Sequence, residues 1–224
     1  MKLICAKYGL SVELKENQIL VWSIENATIF SELAQNLWSQ ANGSDGEFLI
    51  SDKENTYQIP KILEFIVNPF SVSCNGKKVL TGLYKELSYF SINEFQEESE
   101  TLNGAIVSYL DKVCSKVPYA LEYQLDFDPL DLFKLYDVQV DSHPSTLLEK
   151  IEDYVCDLHQ ILHIKIFAFL NLKQYFSTDK LKEFYKFCAY EKVYIILVER
   201  FYNFSSEEEK HWILDKDLCL IEAN

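Results

Sequence analysis

Four carboxylates lie within ten residues of one another in the segment LEYQLDFDPLD, residues 121–131. They are Glu122, Asp126, Asp128 and Asp131. Oxygen ligands at such close spacing suit calcium or magnesium. A second explanation needs no metal, because Asp128 followed by Pro129 is typical of a helix N-cap, and Asp131 completes a capping-box arrangement. Residue chemistry alone leaves both explanations open.

Other motifs for catalysis or cofactor binding are missing from the sequence. The stretch Asn75-Gly76-Lys77-Lys78 lacks the first Gly and the Ser or Thr of a phosphate-binding loop, so it predicts a turn. His159 and His163 have a spacing that suits one zinc ion, but Gln160 stands where a metalloprotease needs a general-base Glu. No nucleophile has a recognisable local signature. We therefore predict that the protein is not an enzyme.

The six cysteines are widely spread and form no CxxC pair that would begin a zinc site or a redox motif. We interpret them as reduced core residues, because a free thiol behaves as a small hydrophobic group. They are Cys5, Cys74, Cys114, Cys156, Cys188 and Cys219.

The charge of the chain opposes nucleic-acid binding on average. The 35 acidic and 21 basic residues give a net charge of −14, and affinity for DNA comes mainly from phosphates that meet Lys and Arg. DNA binding would need a local basic patch, a divalent counter-ion or an assembly that concentrates lysines. Lys77, Lys78 and Lys85 form the most positive short segment, and Lys53 and Lys61 lie just before it. In the later series Lys173, Lys180, Lys182 and Lys186, the last two residues lie opposite an apolar stripe, as on a solvated helix face.

Two apolar runs and the helix between them predict a β-α-β unit with a parallel sheet. IKIFAFL (164–170) and YIILVE (194–199) are apolar on consecutive positions, which is typical of strands covered on both faces. Ser177 or Thr178 can cap the intervening helix. Its apolar stripe is Leu181, Phe184, Tyr185 and Cys188. A further helical stripe runs from Leu147 to Leu162.

The first 50 residues predict a strand over residues 19–24 and a helix that ends at Asn42 and Gly43, in the same α/β layer. From about Pro60 to Lys116 the pattern is helical, and the acidic stretch 94–100 separates the last two helices. The economical interpretation is an α/β head of residues 1–57 and 137–224 with an inserted α-helical leg of residues 58–136.

No apolar run approaches the ~18 residues that cross a bilayer, so we expect no membrane association. Lys7 and Glu13 stand where a secretion signal needs unbroken apolar residues. We therefore expect a cytoplasmic protein.

Three runs of the sequence resemble one known family, in order and over most of the chain. The C-terminal run is FAFLNLKQYFSTDKLKEFYKFCAYEKVYIILVERFYNF, followed by WILDKDLCLIEAN. The others are SVELKENQILVWSIENATIFSELAQNLW and LEYQLDFDPLDLFKLYDVQV. Together they resemble the Csn-two family of type II-A CRISPR adaptation proteins.

The resemblance implies an α/β head similar to P-loop ATPases but without their phosphate-binding motif, and a helical leg. It further implies a homotetrameric ring, stabilised by calcium, whose lysine-lined channel encircles the ends of linear double-stranded DNA. The ring would act in spacer acquisition, with the CRISPR integrase complex and the large guide-RNA nuclease as partners. Carried onto this chain, the calcium role falls on Glu122, Asp126, Asp128 and Asp131. The DNA contacts fall on Lys53 and Lys134, with Lys61, Lys77 and Lys78 as further candidates.

Two alternatives to a non-catalytic DNA-binding ring stay open. Clustered carboxylates can hold two metal ions for phosphodiester hydrolysis, which would make the protein a metal-dependent nuclease. An acidic surface can also dock on a basic protein partner, without direct DNA binding.

Overall fold

The structure is a computed structural model that describes residues 1–53, 55–201 and 206–223. The strands of this described part are β1 (Lys2–Cys5), β2 (Leu10–Glu13), β3 (Ile19–Ile24), β4 (Phe48–Ser51), β5 (Thr56–Tyr57), β6 (Leu63–Ile66), β7 (Ile166–Leu170), β8 (Tyr194–Glu199), β9 (Glu209–Leu214) and β10 (Leu220–Ala223). Its helices are α1 (Ala27–Ala41), α2 (Ile59–Ile62), α3 (Lys77–Asn93), α4 (Gln96–Cys114), α5 (Pro129–Leu135), α6 (Leu147–Leu162) and α7 (Thr178–Tyr190). The fold class is α/β, as predicted.

A six-stranded sheet carries much of the hydrophobic core. Its strand order is β10-β9-β3-β8-β7-β6, and the pairings are parallel except that of β10 with β9. All six residues of β3 and the first four of β7 are buried, as expected of strands covered on both faces. The predicted β-α-β unit is confirmed as β7, α7 and β8.

Side-chain caps fix where the helices α1, α6 and α7 begin. Asn26 caps α1, Thr146 caps α6 and Ser177 caps α7, each by accepting a hydrogen bond from a backbone N–H of the first turn. α1 ends at Asn42, and Gly43 follows with a φ of 97°. The predicted C-terminal end of α1 is therefore confirmed, and of the two predicted cap residues Ser177 and Thr178, Ser177 is the cap.

The prediction that the first 50 residues join the same α/β layer is wrong for three of their strands. Strands β1, β2 and β4 form a separate antiparallel sheet with β5, in the order β2-β1-β4-β5. The links from β1 to β2 and from β4 to β5 are short, which suits antiparallel pairing, because a parallel pair needs a long crossover. β1 and β4, which are distant in sequence, join these two hairpins into one sheet. Only β3 and α1 belong to the main layer.

The prediction of uninterrupted helix after Pro60 is also wrong. α2 is a single turn that begins near Pro60, and the next four residues form β6, which pairs in parallel with β7. A short apolar run fits a buried strand as well as a helix, and periodicity alone cannot separate the two. β6 therefore belongs to the sheet.

The chain divides into two compact units, residues 1–74 with 142–224, and residues 75–141. These boundaries differ from the expected 57/58 and 136/137, and β6 is the main cause at the first boundary. The second unit contains α3, α4 and α5. Only Glu94 and Phe95 of the acidic stretch separate α3 from α4, because residues 96–100 already form the start of α4. No helix in the described ranges has the length and apolarity needed to span a membrane.

Candidate functional site

The four predicted carboxylates lie in the second unit, and all four are exposed. The side chain of Asp128 caps α5 by accepting a hydrogen bond from the Leu130 backbone N–H at 2.9 Å. Asp131 forms an ion pair with Lys134 at 3.0 Å. The capping geometry that the Asp-Pro pair predicted is therefore present, and Asp131 is already paired.

These carboxylates do not form a metal site within the folded chain. Among the described residues, no group of three or more His, Cys, Asp or Glu side chains is placed to hold a metal ion, whereas calcium takes six to eight oxygen ligands. Asp126 lines a cavity of about 290 Å³ with Glu100 and Asn103. The amide nitrogen of Asn103 donates to the backbone carbonyl of Leu125 at 2.9 Å. The four residues therefore do not form a calcium shell by themselves in the described part of the chain, and calcium binding by them stays a prediction.

The predicted DNA-binding lysines divide between the two units. Lys53 and Lys61 are exposed in the first unit. In the second unit, Lys77 and Lys78 occupy the first turn of α3, and Lys134 lies in the last turn of α5. The ion pair of Lys134 with Asp131 occupies one of its three donors.

Lysines that sequence reasoning missed lie close to Lys61, where the parallel strands begin. A cavity of about 380 Å³ is lined by Lys165 and Lys192, and a cavity of about 280 Å³ by Lys61 and Lys165. Tyr57 also lines both cavities, so the two adjoin. We call Lys53, Lys61, Lys165 and Lys192 the amino-edge lysines; Lys53 lines neither cavity but directly follows Asp52, which lines the larger one. All four are exposed, and none has an ion-pair partner among the described residues.

Chain topology explains why three of these lysines, Lys61, Lys165 and Lys192, lie near one another. Lys165 directly precedes β7 and Lys192 lies two residues before β8, while Lys61 lies two residues before β6. β6, β7 and β8 are neighbours in the parallel sheet, so their amino ends share one edge at a spacing of about 4.8 Å. The sequence signal for this cluster was a lysine shortly before each of the buried strands β6, β7 and β8.

Two residues at this edge adopt a backbone conformation that favours glycine. Lys192 has a φ of 57° and His163 a φ of 58°, each at the turn that follows a helix. Glycine is the usual residue at such positions because a Cβ is unfavourable there. The side chains at these two positions are instead a lysine and an imidazole.

Carboxylates partly offset the charge of the amino edge. Asp52 lines the 380 Å³ cavity and accepts hydrogen bonds from the Tyr57 hydroxyl and the Asn55 backbone N–H. The hydroxyl of Tyr194 donates to Glu16 at 3.4 Å. The amino edge therefore holds acidic groups beside its lysines, although none of the four lysines is ion-paired in the part of the chain that the structure describes.

The histidine pair of α6 does not form a zinc site in the described part of the chain. The Nδ1 of His159 lies 2.7 Å from the Ile164 carbonyl oxygen. His163 instead ends the helix in the left-handed conformation. The pair therefore terminates α6.

At the opposite edge of the sheet, where the parallel strands end, lies Arg200, the single arginine of the chain. Ligands of open α/β sheets usually bind beyond this edge. Here Nη1 of Arg200 donates to the carbonyl oxygens of Ile24, at 2.9 Å, and Glu25. The side chain of Asn26, which follows Glu25, accepts hydrogen bonds from two of the first backbone N–H groups of α1. The Arg200 guanidinium and the first backbone N–H groups of α1, which could otherwise contact a phosphate, are therefore already hydrogen-bonded within the chain. This agrees with the missing phosphate-binding loop.

A buried ionic cluster lies against α7. Nζ of Lys173 donates to Oε2 of Glu209 at 2.9 Å, and these side chains are only 6% and 2% exposed. The Tyr185 hydroxyl donates to the same carboxylate at 2.6 Å, and Nε2 of His211 lies 2.9 Å from it. Burial raises the pKa of Glu209, but the hydrogen bonds from His211, Tyr185 and Lys173 outweigh it and lower the pKa to about 2. Burial raises the pKa of the neighbouring Glu199 to about 7.

The cysteines only partly match the prediction of core thiols. Cys5, Cys74 and Cys188 are buried, but Cys114 and Cys156 are half-buried and Cys219 is exposed. Cys219 lies just before the edge strand β10, where little covers it. The interpretation as a core residue is wrong for Cys219.

Comparisons with known proteins identify the family. The chain is similar to a solved structure described as an ABC transporter ATP-binding protein from Pyrococcus furiosus, at 10% identity and a TM-score of 0.41, over 91% of this chain and 88% of that chain. A family model described as CRISPR-associated protein (Cas_Csn2) matches residues 40–218, which is most of the sequence. The chain therefore belongs to the Cas_Csn2 family of type II-A CRISPR-associated proteins, whose role is in CRISPR adaptation.

Proposed function

We propose that the protein binds linear double-stranded DNA through the amino-edge lysines, without sequence preference and without catalysing a reaction on it. In this proposal it acts in the cytoplasm as a homotetrameric ring during spacer acquisition, beside the CRISPR integrase complex and the large guide-RNA nuclease. The observation that carries the proposal is the clustering of Lys61, Lys165 and Lys192 at the amino ends of neighbouring parallel strands, with Lys53 next to the cavity residue Asp52, on a protein whose net charge is −14. None of these four lysines is ion-paired within the described ranges.

Binding to the DNA backbone predicts steep salt dependence. Each neutralised phosphate contributes about −0.9 to the slope of log affinity against log salt, so four lysines predict a slope of about −3.6 for each engaged chain. Contacts to phosphates alone carry no base information. We therefore expect similar affinities for unrelated sequences of equal length.

The test is a gel-shift titration with a linear duplex and a closed circle of the same sequence, at several salt concentrations. We expect the linear DNA to shift and the circle to remain free, because a ring must thread over an end. Incubation of the linear DNA with magnesium or manganese should leave it intact. Equal binding to the circle would refute threading, and cleaved DNA would favour the nuclease alternative.

Support for the assembled state comes from the second unit. α4 has no buried residue along its nineteen positions. Leu102, Tyr109 and Val113 lie on one face of this helix and are 41%, 66% and 49% exposed. An apolar helix face of this kind is typical of a surface that packs against another chain.

Calcium dependence is part of the same proposal and rests on the family resemblance. The four carboxylates of residues 121–131 are exposed and, within the described ranges, do not form a calcium coordination shell by themselves. Other ligands would therefore have to complete the shell. Size exclusion joined to light scattering should show a tetramer in calcium that dissociates towards smaller species in chelator. A mass that is the same in both buffers would contradict the calcium part, and a monomer in both would contradict the ring.

A further inference from the structure

A cleft of about 920 Å³ lies in the first unit beside Trp212. Its wall includes Lys2 of β1, Lys53 after β4, and Lys210 and Trp212 of β9. It adjoins the amino-edge cavities, because Asp52 lines both this cleft and the 380 Å³ cavity. The lysine-lined surface described above therefore continues into a pocket that contains an aromatic ring.

Neighbouring side chains of β9 and β10 build the aromatic wall. Lys210 and Trp212 are two residues apart on one strand and so share a face, and Glu222 is the partner of Trp212 on β10. Nζ of Lys210 lies 2.6 Å from Oε1 of Glu222 and 5.6 Å from the centre of the Trp212 ring. The indole is thus held beside a lysine whose own position is fixed by an ion pair.

We propose that this cleft binds unpaired nucleotides at the end of a DNA duplex, an inference that rests on the DNA binding proposed above. Sites for single-stranded nucleic acid combine aromatic rings, on which bases stack, with lysines that meet the backbone. The volume falls within the range of about 300–1,000 Å³ typical of small-molecule pockets. It therefore suits one or two nucleotides and excludes a duplex.

Stacking, rather than charge, dominates in this cleft. Its lysines Lys2, Lys53 and Lys210 are offset by Glu13, Asp52 and Glu222, so little net positive charge remains. Ser11, Ser51 and Asn55 also line it and offer hydrogen-bonding groups to base edges. The preference for an unpaired end should therefore depend weakly on salt, whereas the binding of the duplex depends on it steeply.

Tryptophan fluorescence of the full chain provides a direct test, with a thymidine oligonucleotide and with duplexes that carry a short single-stranded extension. The chain has three tryptophans: Trp22 is fully buried, Trp38 is half exposed on α1, and Trp212 lines the cleft. We expect the extended duplex to quench fluorescence in the wild type and in the control Trp38→Phe. The same quenching should be lost in Trp212→Phe, which assigns it to the cleft.

The ratio of the affinity for the extended duplex to the affinity for the blunt duplex provides the second readout. The extended duplex should bind at least about fivefold more tightly than the blunt duplex, the lower end of what one stacked base contributes. Trp212→Phe should keep most of this ratio because it keeps a ring, and Trp212→Leu should reduce it to about one, with circular dichroism to confirm folding. A ratio near one in the wild type, or quenching that survives in Trp212→Phe, would refute the inference alone. Failure to bind even the blunt duplex would refute the proposed function itself.

Discussion

Replacement of Lys173 by methionine is expected to lower the free energy of unfolding by about 3–5 kcal/mol, the usual cost of removing one partner from a buried ion pair. The Glu209 carboxylate would stay buried, with Tyr185 and His211 as its remaining side-chain donors. Methionine keeps most of the apolar stem, so the loss of charge, rather than of packing, should dominate. Urea unfolding followed by circular dichroism measures the difference.

A matched control lies on the adjacent helix. Lys180 pairs with Glu183 at 2.6 Å, but both side chains are more than half exposed, and exposed pairs contribute about 0–1 kcal/mol. Lys180→Met should therefore change the free energy of unfolding by less than about 1 kcal/mol. If Lys173→Met and Lys180→Met lower the free energy of unfolding by the same amount, the buried cluster does not stabilise the fold.

The pH dependence of stability tests the same cluster. The pKa of Glu209 is lowered from 4.5 to about 2 in the fold, so its contribution is present above pH 4.5 and is lost as the pH falls towards 2. Glu199 acts in the opposite sense, because its raised pKa of about 7 makes stability fall as the pH rises from 4.5 to 7. The free energy of unfolding should fall less between pH 4.5 and pH 2 in Lys173→Met than in the wild type, because the Glu209 carboxylate of the variant lacks its lysine partner.

Local patterns predicted the β-α-β unit and failed where partners are distant in sequence. β7, α7 and β8 follow from two apolar runs, one cap and one stripe, all read within 40 residues. Lys173, by contrast, belonged to a series attributed mainly to a solvated helix face, yet its partner Glu209 is supplied by β9. A pairing between separate strands leaves no local signal, so burial of this lysine was not predictable.

The candidate sites show the same limit. The spacing of Glu122, Asp126, Asp128 and Asp131 left shared ligation and helix capping open, and the fold confirms Asp128 as a helix cap and pairs Asp131 with Lys134. Proximity along an irregular segment does not bring side chains to one point. Lys165 and Lys192 are 27 positions apart in sequence and line one cavity, because parallel strands align the residues that precede them.

The amino-edge lysines give the second large prediction. Changing Lys61, Lys165 and Lys192 together to glutamine removes three phosphate contacts from each chain. At 0.1 M salt each contact contributes about eightfold to affinity, so the affinity for linear duplex should fall by roughly 500-fold. The salt slope should flatten by about 2.7 for each engaged chain. The gel-shift titration described above measures both quantities.

Changing Lys180, Lys186 and Lys216 to glutamine makes the matched control, because it alters the net charge equally with exposed lysines that line neither the two amino-edge cavities nor the cleft beside Trp212. We expect this control to weaken binding by less than about tenfold, through long-range repulsion alone. A third variant at Lys77, Lys78 and Lys134 tests the second unit in the same way. Equal losses in the first variant and the control would mean that total charge, rather than the meeting of lysines at the strand starts, governs DNA binding. A large loss confined to the third variant would instead move the DNA contact to α3 and α5.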